Sequence, residues 1–150
     1  MSIMRYQNNA PHAILERSYD IAIARFKKEQ PIRAAALTPG AELEGIPWYF
    51  PEFQAYMRTK RILNTGTIEI VGAFKFSGRP GFAEVAADFV RSLGCTTVVL
   101  DCFEPVADAW IKAGFHTYAV EPFNPKLVPD DWPKGMGEPR VLYMRKHYGG

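Results

Sequence analysis

Cysteine is scarce in this chain, which holds Cys95 and Cys102 alone, with no histidine or second thiol at the spacing a zinc site uses. That excludes a disulfide framework and a structural metal knuckle, and fits reduced thiols. Charge of one sign is lacking too: 18 Lys and Arg stand against 16 Asp and Glu, a net of +2. No long basic run is present, so an extended nucleic-acid-coating face is excluded, although a local basic patch is not. Apolar runs long enough to cross a bilayer are missing, and the first twenty residues hold neither a continuous apolar segment nor a small-residue cleavage site. The expectation is a soluble, unexported, cytoplasmic protein with no membrane partner. Internal repeats and low-complexity segments are also absent. What remains is 150 residues, 47% of them hydrophobic, enough for one domain with a single core.

Apolar residues recur at helical spacing from Ala10 to Gln30 (Ile14, Leu15, Tyr19, Ala22, Ile23, Phe26), and Pro31 stops the run. Residues 31–53 carry four prolines and two glycines, which predicts loops, short strands and one helical turn. Their aromatic cluster of Trp48, Tyr49, Phe50 and Phe53, continued by Tyr56, either folds back on the core or walls a substrate cleft. Residues 67–76 are β-branched and aromatic and read as a strand. After the turn Ser77-Gly78-Arg79-Pro80-Gly81, the residues Phe82, Val85, Ala86, Phe89, Val90 and Leu93 predict a helix that Gly94 ends. Residues 95–101 form an apolar run of the kind buried on both faces. A helix opened by Pro105 and closed by Gly114 follows, and strands are expected over 115–123 and 140–147. This order predicts an α+β, or α/β, domain with a mixed sheet.

A strand running through glycines into a helix leaves free backbone N–H groups at a helix N-terminus, where the dipole favours an anion. Gly78 and Gly81 would let a phosphate approach, and Arg79 could add a charge-assisted bond. The Gly-Lys-Ser/Thr of a nucleotide loop and the three-glycine dinucleotide signature are both missing, so the turn alone is weak, and an ordinary strand-to-helix turn is the alternative.

The order of elements sharpens this. The passage resembles the GNAT superfamily of acyl-CoA-dependent N-acyltransferases, whose long strand leads to a pyrophosphate loop of pattern Gln/Arg-x-x-Gly-x-Gly/Ala, then helix, strand, helix and Gly-Phe. The loop pattern falls on Gly78, Gly81 and Ala83, and residues 106–115 resemble the closing helix, with Trp110 four positions before Gly114-Phe115. Residues 141–144 are similar to the family's last strand. The resemblance spans 67–147 as a cofactor-binding half and leaves 1–66 as a divergent N-terminal half of one GNAT-like domain, with a mixed, mostly antiparallel sheet flanked by helices. It implies acetyl-CoA or a related acyl-CoA as cofactor, held by Phe74, Phe76, Gly78, Arg79, Gly81, Phe82, Ala83 and Trp110. It further implies transfer of an acetyl or other acyl group to an amine acceptor by direct attack, the strand 71–76 polarising the thioester. Two positions depart from the family: Gly78 stands where Gln or Arg is usual, and Trp110 where a Tyr often protonates the departing thiolate. An indole N–H is no acid near neutral pH.

Direct attack needs a base for the ammonium, and the candidates are Asp101, Glu104 and Glu69; each is otherwise a solvated or ion-paired carboxylate. Asp101, ending a buried strand, is best placed. Tyr118 and Tyr143 are the available phenols. Cys102 as a nucleophile, or His116 as a base, competes with a small buried hydrophobe and a surface histidine respectively. His12 and His147 offer nothing sharp. Arg58-Thr59-Lys60-Arg61 concentrates three cations in four residues and suits nucleic-acid phosphate, or else a solvated strand face. Two other classes thus stand beside the enzyme: a noncatalytic GNAT-like binding protein, and a nucleic-acid-associated module. No metal is implied, and a homodimer is left open.

Overall fold

The structure, a computed structural model, describes residues 12–35, 37, 44–63, 65–128, 132 and 134–148. Helix α1 spans His12–Glu29, and a single helical turn, α2 (Pro31–Ala34), follows the proline that ends it. The helix expected from Ala10 thus matches where described; residues 10 and 11 lie outside. Tyr19, Ala22, Ile23 and Phe26 recur every three or four residues and are buried.

Six strands form one sheet: β1 (Ile46–Phe50), β2 (Ala55–Ile62), β3 (Thr67–Lys75), β4 (Thr97–Phe103), β5 (His116–Glu121) and β6 (Val141–His147), in spatial order β1-β2-β3-β4-β6-β5. Only β3 and β4 are parallel, joined by helix α3 (Phe82–Ser92), and every other neighbour pair is antiparallel. Beyond β4 the 3₁₀ turn Glu104–Val106 leads into helix α4 (Ala107–Lys112). The mixed sheet with flanking helices is the one the sequence predicts. The apolar run 95–101 proves shifted, its strand starting and ending two residues later, because Gly94 and Cys95 are still leaving α3.

Each face of the sheet carries its own core. Ile68, Ile70, Val98, Leu100 and Met144 meet Phe82, Ala86, Phe89 and Val90 of α3 and Trp110 of α4 on one side. On the other, Tyr19, Ile23 and Phe26 of α1 enclose Phe74. The aromatic cluster divides accordingly. Phe50 packs edge-on to Phe82 and Phe89, Trp48 to Phe89, while Tyr49 and Tyr56 stack on the α1 side. Of the two readings, packing on the cores is the observed one.

One irregularity positions everything that follows. Tyr56 pairs with Phe74 but Arg58 with Val71, so Gly72 and Ala73 together oppose Met57, a bulge. Gly72 has φ +56°, a conformation glycine takes without a Cβ penalty. The extra residue reverses the alternation: Ile68 and Ile70 face α3, whereas Phe74 faces α1. The β3–β4 ladder covers only Thr67–Glu69 against Thr97–Val99, and past it the strands part.

Candidate active site

The gap between the parted strands is a groove of about 680 Å³. Val71, Gly72, Ala73, Leu100 and Asp101 line it from the two strands, Phe26, Leu37 and Phe74 from one side, and Pro105, Ala109 and Trp110 from the other. The α1 side is tied to the bulge directly, because the Tyr19 hydroxyl donates to the Gly72 carbonyl at 2.8 Å from a fully buried position.

One end of the groove suits an anion. Gly81, φ +96°, precedes α3 with no side-chain cap, so the first-turn N–H groups of Phe82, Ala83 and Glu84 have no side chain on them. A Cβ built on Gly78 or Gly81 would meet nothing within 4 Å, which leaves the backbone open to a ligand. Arg33, Lys75 and Lys112 line the groove as cations, with the carboxylates of Glu84, Asp101 and Asp108. Arg33 donates to the Lys75 carbonyl at 3.0 Å, and Lys75 to the Arg79 carbonyl. Burial, with the Arg33 charge behind it, pulls the Lys75 ammonium below the usual lysine range. The donor set fits a phosphate-bearing group.

Near Asp101 the groove meets a second, smaller cavity, and the Asp101 carboxylate lines both. Its charge is felt around it. Glu69 is pushed above the usual carboxylate range by burial first and by Asp101 second. The Cys102 thiol is driven up to about 12, again by burial and then Asp101, so it is a neutral buried hydrophobe and no nucleophile at neutral pH. Tyr143, opposite Asp101 on β6, is raised to about 12 by burial, a hydrogen bond to the Glu121 carboxylate and the charges of Glu121 and Asp101.

No protein-family model matches the sequence, and no curated protein matches it either. Solved structures do match. The chain is similar to a candidate phosphinothricin N-acetyltransferase (14% identity, 94% of this chain and 96% of the other, TM-score 0.60). It is also similar to a Bacillus subtilis acetyltransferase in complex with CoA (13%, 87% and 86%, TM-score 0.59). A third is a ribosomal-protein-alanine N-acetyltransferase from Brucella melitensis (11%, 99% and 100%, TM-score 0.58). The chain has the GNAT fold.

On this GNAT fold the residues named from sequence separate into groups. Phe74, Gly78, Gly81, Phe82, Ala83 and Trp110 all line the groove. Phe76 and Arg79 do not: Phe76 packs edge-on to Phe26 beneath the Arg25 guanidinium, and Arg79 sits over the Phe53 ring. Trp110 is both core and wall, buried edge-on to Phe115 while facing the groove. Of the three candidate bases, Asp101 alone reaches the groove. Glu69 lies lower on β3, where its neighbour strands are still paired, and Glu104 is outside, exposed and held by Arg140 at 2.5 Å, which keeps it below the usual range. Tyr118 is half exposed on β5 with Arg145 over its ring, and His116 is exposed. His147 meets the Thr97 hydroxyl at 2.8 Å.

The basic patch at 58–61 does not exist as a surface. Arg58 is 2% exposed, paired through both terminal nitrogens with Glu16 at 2.8 and 3.0 Å and stacked on Tyr19. Lys60 is paired with Glu44, and Arg61 donates to the Leu93 carbonyl. Strand alternation puts Arg58 and Lys60 on the α1 face and Arg61 on the α3 face, and Arg58 is buried, which corrects the reading of 58–61 as one nucleic-acid contact.

Sequence reasoning missed Arg33, Lys75 and Lys112, which distant elements bring together, and Tyr19, whose hydroxyl looked like an ordinary helix position. Gly72 did carry a signal, since glycine inside a strand marks a bulge.

Proposed function

We propose that the protein is an N-acyltransferase that moves an acetyl or related acyl group from acyl-CoA to an amine. The observation that carries this is the groove itself: on a GNAT fold, it joins an uncapped helix terminus ringed by cations to the carboxylate of Asp101. Arg33, Lys75, Lys112 and the N–H groups of residues 82–84 would hold the phosphates. The glycines Gly78 and Gly81 let them approach, and the apolar wall from Phe74 to Trp110 takes the pantetheine chain. Acyl-CoA supplies an activated thioester when bound. Residues 1–66 also contribute, through Arg33 and Leu37, so binding is not confined to the half 67–147.

Asp101 takes one proton from the acceptor ammonium, freeing the nitrogen lone pair. A nitrogen–carbon bond then forms as the carbon–sulfur bond breaks, its electron pair leaving on sulfur. The second nitrogen proton passes through solvent to that sulfur, giving an amide, a thiol and one released proton. Backbone N–H groups of β3 past Glu69, no longer laddered to β4, would offset charge on the carbonyl oxygen. The phenol of Tyr143 stays protonated at neutral pH, its hydroxyl donating to the Glu121 carboxylate.

Acetyl-CoA at about 100 times its dissociation constant should stabilise the protein by about 2.7 kcal/mol, roughly 5–10 °C of melting temperature. A thioester without phosphates should not. Thiol release with an amine panel then tests transfer. A second reading has one observation behind it: Trp110 faces the groove, and among the described residues no tyrosine or histidine lines it. Stabilisation by acetyl-CoA without thiol release from any amine would make the protein a noncatalytic acyl-CoA binder.

A further inference from the structure

The cavity that shares Asp101 with the groove encloses about 210 Å³ on the β6 side of β4, below the size of most drug-ligand pockets. Phe103, Val141 and Phe123 form its apolar walls, and Asp101, Glu121 and Tyr143 its polar ones. Cross-strand register explains the grouping. Asp101 is paired with Tyr143, Phe103 with Val141, and Val141 in turn with Glu121, so these side chains share one sheet face. Trp132 packs against two of these walls, 5.3 Å from the Phe103 ring and 5.7 Å from Phe123, its indole N–H donating to the Gly137 carbonyl at 2.9 Å. No lysine, arginine or histidine lines this cavity among the described residues. Its neighbours Arg145 and Arg140 are turned elsewhere, over Tyr118 and onto Glu104.

We propose that this pocket takes the acceptor, and that the acceptor is a primary amine with a compact apolar or aromatic body and no carboxylate of its own. The inference rests on the acyl-transfer reading and names its second substrate class. The charge pattern selects the class. An amine enters as an ammonium, which Asp101 and Glu121 attract, whereas an acidic substituent would be held between two like charges with no cation to neutralise it. The aromatic walls reward an apolar body by burial. The position selects the role: Asp101 and Cys102 line both cavities, the Cys102 thiol is neutral, and Asp101 is therefore the one charged group shared by the pocket and the groove.

Calorimetric titration of phenethylamine and of phenylalanine into the CoA-saturated protein tests this, since the two differ by one carboxylate. Phenethylamine should bind at least about tenfold more tightly. Glu121→Gln should narrow that gap, and Phe123→Ala should weaken phenethylamine, with melting curves to show that both variants fold. Thiol release from acetyl-CoA should follow the same order, and a peptide amide with a free N-terminus should be the poorer acceptor. Equal or tighter binding of phenylalanine, a preference for the peptide, or indifference to both substitutions would overturn the proposal. If acetyl-CoA stabilises the protein while phenethylamine does not bind, this inference fails and acyl transfer stands. If acetyl-CoA itself does not stabilise it, the acyl-transfer reading fails.

Discussion

Asp101 carries the sharpest consequences of any single residue. Asp101→Asn keeps the side chain's shape and removes the proposed base, so turnover in the thiol-release assay should fall by about 10²–10⁴-fold. The melting shift with acetyl-CoA should survive, because the groups proposed to hold the phosphates are Arg33, Lys75, Lys112 and the N-terminus of α3 rather than Asp101. Glu69 gives a second prediction through pH. Its folded pKa is raised, so the fold binds a proton that the unfolded chain releases, and stability is lost as pH climbs from the ordinary 4.5 through the raised value. Glu69→Gln abolishes that loss. Melting curves across this interval should show the variant gaining on the wild type as pH rises. That Asp101 was nameable beforehand follows from its place at the end of an apolar run. That Glu104 is tied to Arg140 was not, since the partners are 36 residues apart and meet only once β4 and β6 pair.

Among elements, α3 was legible almost to the residue because local signals agree: glycine before, glycine after, apolar residues three and four apart between. Its two leading glycines differ, however, in a way spacing does not reveal. Gly81 has a positive φ and Gly78 does not, and neither is crowded. Gly81→Ala should therefore cost about 1–2 kcal/mol in chemical denaturation and reduce acetyl-CoA stabilisation, while Gly78→Ala leaves stability nearly unchanged. The bulge in β3 was written in Gly72 yet hidden by its surroundings. Thr67 to Phe76 reads as one continuous strand, and only pairing with β2 shows where the alternation reverses.

At the scale of the whole molecule, two cores on opposite faces of one sheet must be fastened together, and Arg58 does part of this. Its guanidinium, almost wholly covered, reaches from β2 to Glu16 on α1 and to the Gly45 carbonyl at 3.0 Å. Glu16→Ala leaves that charge without its bidentate partner and should cost about 3 kcal/mol in denaturant unfolding. Asp20→Ala, 3.7 Å away on a 66% exposed side chain, should cost under about 1 kcal/mol. Sequence alone made Arg58 part of a basic patch, since burial of one strand residue beside two surface neighbours depends on where α1 packs.

The Tyr19 hydroxyl joins α1 to the same carbonyl-bearing bulge from which the groove opens. A ligand that fills the groove thereby holds one end of this tether still, and whatever opens α1 must first let go of it. Backbone amides near Tyr19 should exchange with deuterated solvent more slowly when acetyl-CoA is present, and Tyr19→Phe should uncouple them. The helix farthest in sequence from the Gly78–Gly81 turn would then report whether the groove is filled.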